Sequence, residues 1–319
     1  MAHHNVLDRR PLGRTGLSVT SLCIGGGPIG SMPGNFGYET PAERGVATAR
    51  AAMDGPVNFL DTSNSYSAGE SERRIGVAIA ERGGLPEDFA LATKLDRDLE
   101  SGDFSAERMY RSAKESQERL GLDRFDLLHL HDPEHIGFEA AMAPGGPVDA
   151  LLELKERGVA AHIGVAGGPV GMLRQFVETG AFDVVLTHNR WTLVDRSADE
   201  LIDSAVQHGV AVLNAAVFGG GVLARGMSSA GARYGYRDAE PRVVAAIEAI
   251  ERLAAEFEVP LPAAAIQFSV RDPRITSTVL GVSRPERIDS SVALSTQDIP
   301  EEFWSQIADL AAPEDTWLW

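Results

Sequence analysis

Short apolar runs alternate with amphipathic stretches along most of this chain. The runs at 22–24, 57–61, 89–94, 125–131, 161–165, 183–188, 210–217 and 277–280 are short and mainly apolar, which predicts buried strands. Segments between and after them read as helices. Over 71–82, Ile75 and Ile79 share one face, with Glu and Arg around them. Residues 105–120 open on Ser105 and stop at Gly121, and 147–157 is closed by Gly158. Helices are also expected over 40–54, 170–178, 197–208, 242–257, 262–270, 285–292 and 300–311. Ahead of the first run, residues 9–21 carry turn residues Gly13 and Gly16 between two arms and predict a hairpin.

Eight strands, each followed by at least one helix, imply a parallel sheet covered by helices. In a chain of 319 residues this suits a single α/β domain, 1–319, folded as a (β/α)8 TIM barrel with an N-terminal β-hairpin and C-terminal helices. A doubly wound open sheet is the rival. Polar residues stand at the carboxyl ends of several different strands, as in barrels. The weakest periodicity, at 226–237, is expected to be a long surface loop over the barrel mouth.

Charge narrows the partners. Lys and Arg number 29 against 46 Asp and Glu, a formal charge of -17. Such a chain repels phosphate backbones and anionic lipid, so neither nucleic acid nor membrane is an expected partner. A small molecule is. No run reaches the apolar length of a membrane span, and the start MAHHNVLDRR has no leader-like apolar stretch. The lone cysteine, Cys23, allows no intramolecular disulfide and fits a reducing, cytoplasmic setting as a small buried hydrophobe. Oligomeric state is left open.

Three consecutive strands end in ionisable residues, Asp61, Lys94 and His131, and Tyr66 follows the first of them. Taken singly, each has an ordinary explanation: a turn former, a solvated cation, a satisfied imidazole, a packed ring. Neighbouring strand ends of a closed barrel lie close together, so the four can converge. Such a set supports proton transfer coupled to hydride transfer. A phenol is a weak acid at neutral pH, and an adjacent ammonium favours its phenolate. Asp61 would orient the lysine, and His131 would steer a substrate oxygen. Side chains deliver no hydride, so a nicotinamide is required. Glu70 and Glu72 read as helix N-terminal acids favoured by the dipole.

The segments RPLGRTGLSVTSL, FLDTSNSYSAGESERRIG, LATK, DLLHLHDPE, LKERGVAAHIGV and VLGVSRPERI resemble the aldo-keto reductases, and the resemblance covers essentially the whole chain. It implies an Asp61/Tyr66/Lys94/His131 tetrad: Tyr66 as general acid/base, Lys94 as its pKa partner, Asp61 as the lysine's anchor and His131 as the group orienting substrate. Within the family, SERRIGVAIA, the HDPEH run, RWTLVDRSADELI and NAAVFGGGVLARG look closest to the bacterial D-threo-aldose (L-fucose) dehydrogenase and pyridoxal dehydrogenase branch. The resemblance implies NADP or NAD as cofactor and a carbonyl, alcohol or sugar substrate.

The cofactor face departs from the family pattern. Ala166 and Gly167 stand where many members have a Ser-Asn pair for the nicotinamide carboxamide, and His188 and Asn189 where a Gln is usual. The stacking aromatic aligns with Ala215, leaving Phe218 as a nearby substitute. Gly25 and Gly26 after the first strand are expected to bind the cofactor, and Gly219 and Gly221 after the seventh to let the main chain approach its pyrophosphate. Gly281, Ser283, Arg284 and Arg287 resemble the adenosine-phosphate loop, with a glycine where many members place a Lys; two arginines at a helix start suit a 2′-phosphate. Ser290 and Ser291 align with the residues that clasp adenine. Loops 32–38 and 135–144, Trp191 and the terminal TWLW are expected to set substrate choice, with Trp191 and Trp317 as walls. A cofactor-binding regulator with little turnover is the alternative function.

Overall fold

The computed structural model describes residues 7–319. The start of the chain, with His3, His4 and most of the stretch read for a leader, lies outside the described residues. Eight parallel strands close into a barrel: β3 (Leu22–Gly25), β4 (Phe59–Asp61), β5 (Ala90–Leu95), β6 (Phe125–His131), β7 (Ala160–Gly167), β8 (Val184–His188), β9 (Ala211–Ala215) and β12 (Ser277–Gly281), with β12 hydrogen-bonded to both β9 and β3. This is the (β/α)8 fold, and the open-sheet rival falls because the sheet has no edge. The expected strands all form, with ends shifted by a residue or two.

Alternation along each strand sorts side chains between two cores. Phe59, Ala92, Leu127, Leu186, Leu213 and Val279 point inward and fill the barrel, where Cys23 is buried among them as expected. Residues of opposite parity, such as Leu60, Leu91, Leu128 and Val165, pack outward against the helices. These include α1 (Ala42–Asp54), α2 (Glu70–Arg82), α3 (Ala106–Leu120), α4 (Pro147–Glu156), α5 (Val170–Glu178) and α6 (Asp199–Gln207). The Ser105 side chain caps α3 by accepting from Arg108 N, and Gly121 ends the helix in the left-handed region. A further core joins α7 (Pro241–Glu256) and α8 (Leu261–Val270) to the C-terminal segment; α9 (Glu286–Thr296) packs against α8.

The hairpin of β1 (Arg9–Pro11) and β2 (Ser18–Thr20) closes the amino end of the barrel. Leu12 and Val19 are fully buried against the barrel interior. Gly13 is required there: its φ is +56°, and a Cβ would lie 2.9 Å from Ala211 N. The stretch expected as a long surface loop at 226–237 holds a helical turn, Met227–Ala230, and a ribbon, β10 (Arg233–Tyr234) with β11 (Arg237–Asp238). The Gly235–Tyr236 turn has positive φ at both residues, the geometry that lets two short strands pair. The ribbon does sit at the barrel mouth: Tyr234 donates to Asn189 O at 2.7 Å, just past β8.

Candidate active site

Inward alternation delivers the first two groups. Asp61 follows Phe59 on β4, and Lys94 follows Ala90 and Ala92 on β5. Both are buried. Lys94 Nζ donates to Asp61 Oδ2 at 2.6 Å, to Thr62 O at 2.6 Å and to Tyr66 Oη at 3.3 Å. All three ammonium hydrogens therefore have acceptors. Burial alone would lower the Lys94 pKa; Asp61 and Tyr66 more than reverse it and hold the ammonium above the ordinary lysine value. Burial raises the Asp61 carboxyl too, yet the 2.6 Å contact with a fully buried ammonium keeps the pair ionised.

Tyr66 reaches Lys94 through a tight loop. Ser67 and Ala68 both have φ of +52°, followed by Gly69 at +87°. Two non-glycine residues in that region are strained, so their surroundings must hold them. Ser67 Oγ donates to Ser31 O at 2.6 Å. The Arg119 guanidinium fills the space beside Gly69, where a Cβ would lie 2.4 Å from its Cζ. Arg119 also donates to Asn64 O at 2.8 Å and to Glu72 Oε2 at 3.1 Å. Glu72 is thus more than a dipole-favoured acid: it is fully buried and accepts from Thr93 Oγ1 at 2.6 Å, next to Lys94. The phenol itself departs from the expected shift. Lys94 does pull its pKa down, but burial is larger, and the net direction is upward.

His131 stands edge-on to Tyr66, ring centroids 5.7 Å apart at 77°. Its Nδ1 lies 2.6 Å from Asp96 Oδ1. Asp96 also takes the Ser63 hydroxyl, and it accepts from Ser65 N at 2.9 Å. Burial pulls the Asp96 carboxyl up, but His131 and these donors hold it down at about 2. Burial likewise lowers His131, and Asp132 and Asp96 on its two sides outweigh it, so its pKa is raised. Neither Asp96 nor Ser63 was anticipated. Asp96 continues the inward parity of Lys94 two residues further, which is the signal that could have found it.

The four tetrad residues converge as expected; the cofactor residues divide. Gly25 and Gly26 are buried between protein groups. A Cβ at Gly25 would meet Val279 Cγ1 at 3.2 Å, and one at Gly26 would meet Ser71 Oγ and Thr62 Oγ1 at 2.9 Å. Gly219 lies against the Tyr234 ring and Gly220 against Tyr236 N, so the ribbon makes a close approach to the 219–221 turn. Gly221, at φ +106°, lies beside the Arg225 guanidinium. Phe218 is half-buried between two cores beyond β9. His188 ends β8, half-exposed, its pKa pushed down to about 4 by burial and Arg190, so it is neutral. Asn189 is buried beside it, with Oδ1 unpartnered among the described residues. Gly281 is exposed at the end of β12; Arg284 and Arg287 are exposed, and Ser283 and Ser291 partly so. Glu286 and Asp289 occupy the first turn of α9, so its N-terminus owes any attraction for phosphate to those arginines. Trp191 is no substrate wall: it is buried, 5.5 Å from Phe268 and 5.1 Å under the Arg274 guanidinium. Trp317 donates to Ala312 O within the C-terminal segment, and Leu318 N donates to Asp195 Oδ2, which ties that segment to the loop after β8. A cavity lined by Pro11, Arg14, Ala211 and Arg274 lies at the hairpin end, and none of Asp61, Tyr66, Lys94 and His131 lines it.

Known proteins resemble this chain along nearly its whole length. The sequence profile of the aldo/keto reductase family matches residues 21–312. Pyridoxal 4-dehydrogenase of Microbacterium luteolum is 31% identical, across 96% of this chain and 98% of its own. D-threo-aldose 1-dehydrogenase of a Pseudomonas species is 30% identical, across 92% and 94%. Among solved structures, an aldo-keto reductase of Bacillus halodurans in its holo form superposes with a TM-score of 0.78 at 20% identity, covering 97% of each chain. With a profile match spanning nearly the whole barrel, the chain belongs to the aldo/keto reductase family of oxidoreductases.

Proposed function

We propose that this chain is an NAD(P)-dependent dehydrogenase interconverting an alcohol, or the hemiacetal of a sugar-like aldehyde, with its carbonyl or lactone. The observation that carries this reading is the convergence of Asp61, Lys94, Tyr66 and His131 at the carboxyl ends of β4, β5 and β6. The substrate class follows the relatives whose names specify aldose, L-galactose and pyridoxal dehydrogenases.

The residues present fit a nicotinamide cofactor. Acceptor atoms of Glu134 and Asn189 are buried without partners among the described residues, and Arg284 and Arg287 are exposed beyond β12. The bound cofactor would supply the hydride exchange that no side chain here provides. Glu134, His188 and Asn189 would hold its carboxamide end, and Ser283, Arg284, Arg287 and Ser291 its adenosine-phosphate end, with either NADP or NAD.

The chain's own groups handle the proton. In reduction, Tyr66 Oη gives its proton to the carbonyl oxygen while His131 Nε2–H donates to the same atom. Lys94, fixed by Asp61, stabilises the phenolate left behind. Oxidation runs through the same groups in reverse, with Tyr66 taking the hydroxyl proton. Because burial holds the phenol protonated in the free protein, the resting state is the acid.

A spectrophotometric assay with NADP and NAD against aldoses, pyridoxal and simple aldehydes tests the reading. Turnover is expected with at least one substrate, and Tyr66→Phe is expected to lower kcat by about 10²- to 10⁴-fold with cofactor Kd nearly unchanged. Cofactor binding without turnover of any substrate would favour the regulatory alternative. A mild effect of Tyr66→Phe would remove that residue from the acid role.

A further inference from the structure

The turn after β6 carries a carboxylate with half its hydrogen bonding unmet. Glu134 Oε1 accepts from Gly168 N at 3.1 Å. Its Oε2 is buried and has no partner among the described residues. The side chain lies over the end of β7: a Cβ on Gly167 would stand 2.7 Å from Oε2. The absence of a side chain at 167 is therefore what admits Glu134. Ligand atoms of Asp132, Glu134 and His188 lie within 4.8 Å of one another, and Asp132 Oδ1 is 3.6 Å from His131 Nε2. The Glu134 carboxylate thus borders the proton-transfer set.

We propose that Glu134 Oε2 accepts a hydrogen bond from the amino group of the nicotinamide carboxamide, replacing the side chains absent at Ala166 and Gly167. This rests on the nicotinamide reading above. An ionised carboxylate only accepts, so it selects the amide's N–H2 over its carbonyl and sets which way the amide turns. On a nicotinamide the amide is borne by the carbon next to the one that exchanges hydride, so its reader must border the tetrad, as Glu134 does. A buried acceptor left unmet is costly, and a ligand donor relieves that cost. Burial and the nearby Asp132 both push the Glu134 carboxyl upward; a donor at Oε2 acts in the opposite direction.

The test is direct binding to the full chain, by titration calorimetry or fluorescence quenching. The probes are the oxidised dinucleotide that binds the wild type and its 3-acetylpyridine analogue, in which a methyl ketone replaces the amide. Glu134→Ala is expected to weaken the natural dinucleotide by roughly tenfold or more, as loss of a hydrogen bond to a charged group predicts, and the analogue by less than about twofold. Glu134→Gln retains an oxygen for Gly168 N and guards against a folding defect; it puts a donor N–H2 where Oε2 stood, so it is expected to weaken the natural dinucleotide about as much as Glu134→Ala and to spare the analogue. Equal losses for both probes in both variants would overturn the assignment. So would an unchanged dinucleotide Kd with a raised substrate KM, which would give the oxygen to a substrate hydroxyl. Wild-type protein that binds neither NAD nor NADP would overturn the nicotinamide reading itself, and this one with it.

Discussion

At the scale of single residues, the site turns on which nitrogen of His131 carries a proton. Asp96 is ionised at any working pH and can only accept, so Nδ1 carries a hydrogen. Nε2 can then donate to a substrate oxygen only when the ring is the imidazolium. The groups facing the ring pull both ways: Asp96 and Asp132 favour the cation, and burial and Lys94 oppose it. Asp61 and Glu134 are carboxylates within its field, and the neutral His129 and His188 add no charge. The net shift is upward, so the imidazolium and its ion pair are fully present below the ordinary histidine pKa and are lost as pH rises through the raised one. Reductive kcat is expected to fall on that limb. Asp96→Asn keeps an oxygen for Nδ1 but removes one raising charge, so the limb is expected to move to lower pH in a pH–rate profile. A limb that stays in place would mean another group titrates there. Asp61, Tyr66, Lys94 and His131 were legible because each ends or follows a strand. Asp96 was missed because the strand was expected to stop at Lys94, whereas β5 runs to Leu95 and carries the inward parity one step further.

At the scale of elements, the strained Tyr66 loop is held from behind by α2 and α3. Arg119 links three pieces: Glu72 in the first turn of α2, Asn64 in the loop and the space beside Gly69. A second cation, Arg108, binds Glu115 at 2.7 Å and Asn64 Oδ1 at 3.0 Å. Truncating Arg119 would leave the Glu72 carboxylate buried without its cation, and losing one partner of a buried pair costs about 3–5 kcal/mol. Arg119→Ala is therefore expected to lower the unfolding free energy by roughly 3 kcal/mol in urea and to reduce kcat by freeing Tyr66. A loss well under about 1 kcal/mol would show that the Thr93 and Ser116 hydroxyls satisfy Glu72 without the cation. The spacing of Ile75 and Ile79 revealed α2, but not that Glu72 faces inward, because a carboxylate is buried only where another element brings it a partner.

At the scale of the whole molecule, closure separates stability from chemistry. The hairpin seals the amino end while Asp61, Lys94, Tyr66 and His131 gather at the carboxyl end. Leu12 is fully buried in that seal. Leu12→Ala is expected to cost about 2–5 kcal/mol in chemical denaturation while leaving kcat close to wild type where the protein is folded. A large drop in kcat from folded variant would mean that the floor of the barrel transmits to its mouth.

The order of strands and helices, the barrel, the hairpin and the four tetrad residues were written in local pattern. Apolar parity and strand ends are properties of neighbours in sequence, and barrel closure then brings successive strand ends together. The partners of those residues were not. Asp96 on His131, Glu72 under Lys94's strand, Glu134 over Gly167 and Tyr234 against Gly219 each join segments whose approach depends on how turns fold back across the mouth. Such contacts have no period. They exist only once the tertiary structure has removed water from the groups and left each buried donor or acceptor to find its partner in space.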